Sequence, residues 1–144
     1  MELRAIGVTV DSNDPDRTAD FWQAAIGFRK REGDGEPYIT LSDSDVGRPL
    51  NHLTIQRVPE SKMVKHRLHL DLFVADDVTA IAELEALGAT VVVPADQPGH
   101  VGMTATVMAD PDGGEFCVVC RRQEQDSRRQ EQDSRRQEQD SRRQ

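Results

Sequence analysis

The chain has 144 residues, 31% of them charged, and a formal net charge of −8, which points to one domain of ordinary size rather than two deep cores. No apolar run approaches the roughly 20 residues of a membrane helix, and "MELRAIGVTV" lacks the basic start and long apolar middle of a secretion signal, so a cytoplasmic protein is expected.

The first stretch, "LRAIGVTVD", alternates. Ile6, Val8 and Val10 fall on one face and Gly7, Thr9 and Asp11 on the other, the pattern of a half-buried strand. "NDPDRTADFWQAAIGF" then predicts a helix: Asp14 can cap it, Pro15 suits its first turn, and Gly27 can end it in a left-handed conformation. Phe21, Trp22, Ala25 and Ile26 have helical spacing, and Trp22 is expected in the core. "PYITLS" and "HLTIQRV" read as strands on either side of a polar loop.

The same order then returns. "RLHLDLFV" alternates as a strand, and "DDVTAIAELEALGA" is a capped helix with Val78, Ile81 and Leu84 or Glu85 on successive turns, closed by Gly88. "TVVV", "MTATVMA" and "EFCVVC" follow as strands, and "DPDGG" before the last of them is a turn signal rather than a cation loop. Gly27 and Gly88 lie 61 positions apart, as do Gln56 and Cys117, so the unit is duplicated, with modules of about residues 1 to 60 and 65 to 120. The expected fold is α+β: two tandem βαβββ modules whose curved sheets enclose a cavity, with the helices on the outer face.

From Arg121 onward the heptapeptide "RRQEQDS" recurs three times and begins again, bringing eight Arg and six Asp or Glu. Without an apolar residue it cannot form a coiled-coil seam, so residues 121 to 144 are expected to be a disordered tail or a frayed helix. Of 18 basic and 26 acidic residues, 10 and 20 remain in residues 1 to 120, a net charge of −10. So acidic a body disfavours nucleic acid and anionic lipid and favours cationic ligands.

The βαβββ repeat, "DPDRTADFWQAAIGF" at the first helix, "HLDLFVADD" opening the second module and "DPDGGEFCVV" closing it resemble the vicinal-oxygen-chelate superfamily, and more narrowly its glyoxalase-like domain branch. That superfamily includes glyoxalase I, extradiol dioxygenases, fosfomycin-resistance enzymes and bleomycin-resistance proteins. The resemblance covers residues 1 to about 120 and implies a homodimer that binds a small molecule. Fold alone does not select a chemistry.

Alternation aims Gly7 and Thr9, Thr54 and Gln56, His69, Asp71 and Phe73, and Glu115, Cys117 and Val119 into the cavity. In metal-using relatives, four His and Glu positions hold a divalent ion. Carried over by resemblance, they fall on Gly7, Gln56, His69 and Cys117. His69 and Cys117 are two strong ligands, short of the three usual at catalytic zinc, so no resident metal or other cofactor is expected. Thr9, Thr54, Gln56, His69, Asp71, Phe73 and Cys117 are the expected ligand-binding residues. The expected function is metal-independent binding of a polar or cationic small molecule. The alternative is a lyase or isomerase in which His69 works with Asp71 or Glu115 as general acid and base, with or without a recruited metal. Two rises along a strand span roughly 6.6 Å, so a direct bond from His69 to Asp71 does not follow from spacing. Cys117 and Cys120 should face opposite sides of one strand, which forbids a bridge, and Cys120 should be core. His52, His66 and His100 lack metal-ligand spacing.

Overall fold

The structure, a computed structural model, describes residues 7–43, 50, 52–95 and 103–121. Strand residues before Gly7, His100 and all of the repeat tail after Arg121 lie outside the described residues. The first module runs β1 (Val8–Ser12), α1 (Pro15–Ile26), β2 (Lys30–Glu32), β3 (Tyr38–Ser42) and β4 (His52–Arg57). The second runs β5 (Asp71–Phe73), α2 (Asp77–Ala86), β6 (Thr90–Val93), β7 (Met103–Ala109) and β8 (Glu115–Arg121). Each module makes a four-stranded mixed sheet, ordered β1-β4-β3-β2 and β5-β8-β7-β6, with its first strand parallel to its last. The α+β duplication read from the sequence is the observed fold.

Local signals explain the helices. Asp14 accepts a hydrogen bond from the Arg17 amide, Pro15 opens α1, and Gly27 closes it at φ 75°. Asp76 caps α2 by accepting from the Val78 and Thr79 amides. The buried stripe of α2 differs from expectation. Leu84 is buried and Ala80 and Ile81 are half-buried, whereas Val78 is 68% exposed, because the N-cap turns that residue toward solvent. β2 is a short strand not singled out from the sequence. It is held on α1 by Arg31, which pairs with Asp16 at 2.8 Å and also with Asp20 and Asp34.

The helix-facing sides of both sheets are dry: Ile39, Leu41, Leu53, Ile55, Met108, Phe116, Val118 and Cys120 are buried. Thr9, Thr54, Gln56 and Cys117, from the opposite series, are half-buried or exposed. α1 also reaches across to the second module. The Trp22 and Phe116 rings meet edge-on at 5.2 Å, and Phe21 lies 5.8 Å from Phe116.

The strand expected over residues 67 to 74 is a correction. Only Asp71–Phe73 is paired, with Asp71 opposite Cys117, Leu72 opposite Val118 and Phe73 opposite Val119. β8 begins at Glu115, so Arg67 and Leu68 have no partner strand in this register, and ahead of Asp71 the Leu70 carbonyl accepts the Cys117 amide at 2.8 Å before the chain leaves the ladder. His69 therefore stands just ahead of the strand rather than within it.

Candidate functional site

His69, Asp71 and Cys117 converge. His69 Nε2 is 3.2 Å from Asp71 Oδ1, and one donor atom from each of the three residues lies within 4.8 Å of the other two. Freed from the regular strand, the His69 side chain leans toward Asp71, closing the gap that a straight strand would leave open. The ladder supplies the third member, since Asp71 and Cys117 are register partners on β5 and β8. Burial raises the Cys117 thiol pKa, and the Asp71 carboxylate beside it adds to the rise while Lys65 offsets part of it. A thiol so placed is not an activated nucleophile. Neither cysteine is in a disulfide, and Cys120 is buried as expected.

Glu115 is not part of this cluster. Its carboxylate binds Lys62 Nζ at 2.8 Å and accepts the His66 amide at 3.1 Å. The Lys62 bond is the largest cause of a pKa lowered to about 2. So weak a base is ill suited to taking a proton near neutrality. It does make a stability element. Because the folded pKa is depressed from 4.5, the contribution is fully present above 4.5 and is lost as pH falls through about 2. Lys62→Met is expected to cost on the order of 1 kcal/mol at pH 7 and almost nothing at pH 2, read from denaturant unfolding at both values.

Two cavities border the cluster. One, of about 280 Å³, lies between the modules, with Val8, Thr9, Val10 and Asp11 of β1 facing residues 66 to 70 and Glu115. Trp22 and Asp110 reach its wall as well. The other, of about 610 Å³, lies between α1, α2 and β5 and is lined mainly by aliphatic side chains, with Asp71 and Phe73 at its edge. The larger space has few convergent polar groups and reads as a gap between helices. Of the expected ligand-binding residues, Thr9 and His69 line the inter-module cleft, Asp71 and Phe73 the helix-side cavity, and Thr54, Gln56 and Cys117 neither of these two.

Asp110 is the residue that sequence reasoning undervalued. It is buried and accepts hydrogen bonds from the Trp22 indole at 3.0 Å, the Asp112 amide at 3.0 Å and the Gly114 amide at 2.8 Å. Burial raises its pKa despite those bonds. The turn signal in "DPDGG" pointed to the two amide bonds, but nothing local points to Trp22.

The four positions used by metal-binding relatives do not fit an ion here. A Cβ on Gly7 would come within 2.6 Å of His52 Nε2, so that position has no room for a ligand as packed, and Gln56 offers a neutral amide. Sheet register also pairs Asp11 with Gln56 and Asp71 with Cys117, which makes Thr9, rather than Gly7, the counterpart of His69.

A family model described as "Glyoxalase-like domain" matches residues 7–119. No curated protein matches the chain. Among solved structures, a glyoxalase-related enzyme from Fulvimarina pelagi is 19% identical with a TM-score of 0.58, covering 81% of this chain and 87% of that one. TioX from Micromonospora sp. ML1 is 22% identical, with a TM-score of 0.56 and coverage of 82% and 98%. A glyoxalase/bleomycin resistance protein/dioxygenase family enzyme from Burkholderia phytofirmans PsJN is 18% identical, with a TM-score of 0.55 and coverage of 79% and 95%. At these identities the structural likeness speaks for the fold.

Proposed function

The chain belongs to the glyoxalase-like domain family of the vicinal-oxygen-chelate superfamily, and from that premise we propose that it binds a small polar or cationic organic molecule in the cleft between its modules. The observation that carries this reading is the composition of the cleft wall. Val8, Val10, Leu70 and Trp22 give it an apolar surface, while Thr9, Asp11 and His69 bring polar groups to the same space. Its volume of about 280 Å³ suits a compact ligand. Glu115 is neutralised by Lys62 and Asp110 is engaged by three N–H donors, so Asp11 is the carboxylate best placed to meet a positive charge. The acidic body, with net charge −10 over residues 1 to 120, adds long-range attraction.

Thermal-shift measurements in chelator, with panels of cationic, neutral and anionic organic compounds, test the proposal. A cationic compound at 100 times its Kd is expected to add about 2.7 kcal/mol, a rise of several degrees in Tm. Asp11→Asn should reduce that shift. Stabilisation by neutral or anionic compounds alone, or a shift untouched by Asp11→Asn, would sink it.

A second reading is favoured by the 3.2 Å contact between His69 and Asp71, a pair able to move a proton on a bound ligand. On this reading the protein is a lyase or isomerase. Turnover lost in both His69→Ala and Asp71→Asn, with ligand binding retained, supports it.

A further inference from the structure

We propose that the inter-module cleft takes a compact zwitterion of the amino-acid class, whose positive group meets Asp11 and whose carboxylate meets Arg67. The assignment rests on the binding reading above and narrows it, from any polar or cationic molecule to one that carries both charges.

The two charges come from facing walls. β1 brings Asp11 to one side of the cleft, and residues 66 to 70 bring Arg67 to the other. Both residues are exposed, so a ligand can reach them from solvent. The other ionisable side chains of the lining are already engaged. Glu115 binds Lys62 at 2.8 Å and lies 3.9 Å from His66 Nδ1. His69 stands 3.2 Å from Asp71, and Asp110 holds the Trp22 indole at 3.0 Å. Asp11 and Arg67 are left over. Among the described residues neither side chain makes a hydrogen bond or an ion pair, with the other or with any third group.

The body of the protein makes this pairing failure informative. Residues 1 to 120 hold 20 acidic side chains against 10 basic ones, so a cation has carboxylates to choose from. Arg31 takes three of them, from Asp16, Asp20 and Asp34, whereas Arg67 lines the cleft with none.

A guanidinium stays charged at every physiological pH, and its planar fork matches a carboxylate through two parallel N–H···O bonds. Ionised Asp11 only accepts hydrogen bonds, which suits an ammonium group. A ligand with a positive charge alone sets it in a space that also holds the Arg67 cation, and strips water from Arg67 without replacing it. A ligand with a negative charge alone does the same to Asp11. A zwitterion gives each wall its opposite charge. Val8, Val10, Leu70 and Trp22 line the same space of about 280 Å³, so the part of the ligand that joins its charges is apolar. Amino acids with aliphatic or aromatic bodies have this combination.

The test is titration of the full-length protein in chelator at low ionic strength. It is read by the fluorescence of Trp22, the single tryptophan, which stands on the cleft wall. The probes are L-leucine, L-phenylalanine and 5-aminopentanoate. Each is compared with its carboxamide, which keeps only the positive charge, and with its N-acetyl form, which keeps only the negative one. At least one zwitterion is expected to bind tenfold or more tighter than both of its singly charged derivatives. Arg67→Met should weaken that zwitterion tenfold or more and leave the carboxamide's affinity unchanged or improved. Asp11→Asn should weaken the zwitterion and the carboxamide alike. Circular dichroism checks that both variants fold, and the comparison of derivatives in the unmodified protein reads the assignment without them. A carboxamide that binds as tightly as its zwitterion, or zwitterion affinity untouched by Arg67→Met, would overturn the assignment and leave the cationic reading standing. Binding of the N-acetyl forms alone would overturn both. Failure of all three zwitterions to bind would overturn the assignment whatever other cations do.

Discussion

Phe116→Ala is expected to be the most damaging core substitution, lowering the free energy of unfolding by about 3 to 5 kcal/mol. Phe116 is fully buried on β8, and its ring meets those of Trp22 and Phe21 from α1. Deleting it removes a large apolar surface and two aromatic contacts worth roughly 0.5 to 1.5 kcal/mol each. It also opens a void where the first module's helix meets the second module's sheet. Phe116→Leu keeps much of the volume and should cost less than half as much. Denaturant unfolding followed by the fluorescence of the single tryptophan, Trp22, reports the loss at the joint itself. A cost near 1 kcal/mol for alanine would show that the modules do not depend on this contact.

The second large effect is at Asp110. Asp110→Ala orphans the Trp22 indole N–H and the amides of Asp112 and Gly114, at a cost of about 2 to 4 kcal/mol once water reaches part of the turn. Asp110→Asn has a more informative outcome. The side-chain amide offers one oxygen and one NH2 group where the carboxylate offers two oxygens, so the bond to Trp22 or the pair to the turn is lost. The folded pKa of Asp110 is raised above 3.8 by burial. The native state therefore holds the proton more tightly, and the protonated carboxyl's advantage is complete below 3.8 and disappears as pH rises through the folded value. Asp110→Asn removes this dependence. The difference in stability between the unmodified protein and the variant should change across that interval and be flat well above it. A difference constant at every pH would mean that Asp110 is ionised to the same extent folded and unfolded.

These two residues mark where the sequence was and was not legible. α1 could be read to the residue because Asp14, Pro15 and Gly27 act on their own neighbours. The duplication could be read because a helix and a final strand recur at one spacing. β5 could not be read to its ends. Alternation from Arg67 to Val74 describes a chain that could be a strand, but the ladder with β8 pairs only Asp71 to Phe73, and alternation does not say where a ladder ends. His69, just ahead of the paired residues, comes within 3.2 Å of Asp71. The bond from Trp22 to Asp110 spans 88 positions, and no local rule connects an indole on one helix with a turn in the other module. Cys117 became interpretable only with the register, which sets it opposite Asp71 rather than opposite the histidine.

β6 carries a last consequence. It is an outer strand of its sheet, and its sequence, "TVVV", leaves Val91 and Val92 39% and 51% exposed. A flat, aliphatic edge of this kind is a template onto which another chain can stack, the first step toward fibrils. The ladder with β7 steps from Val91 to Val93, leaving Val92 as an extra residue that breaks the regular run of edge hydrogen-bonding groups. Such an irregularity works against the addition of another strand at this edge, because a regular partner cannot match its hydrogen-bonding groups across the bulge.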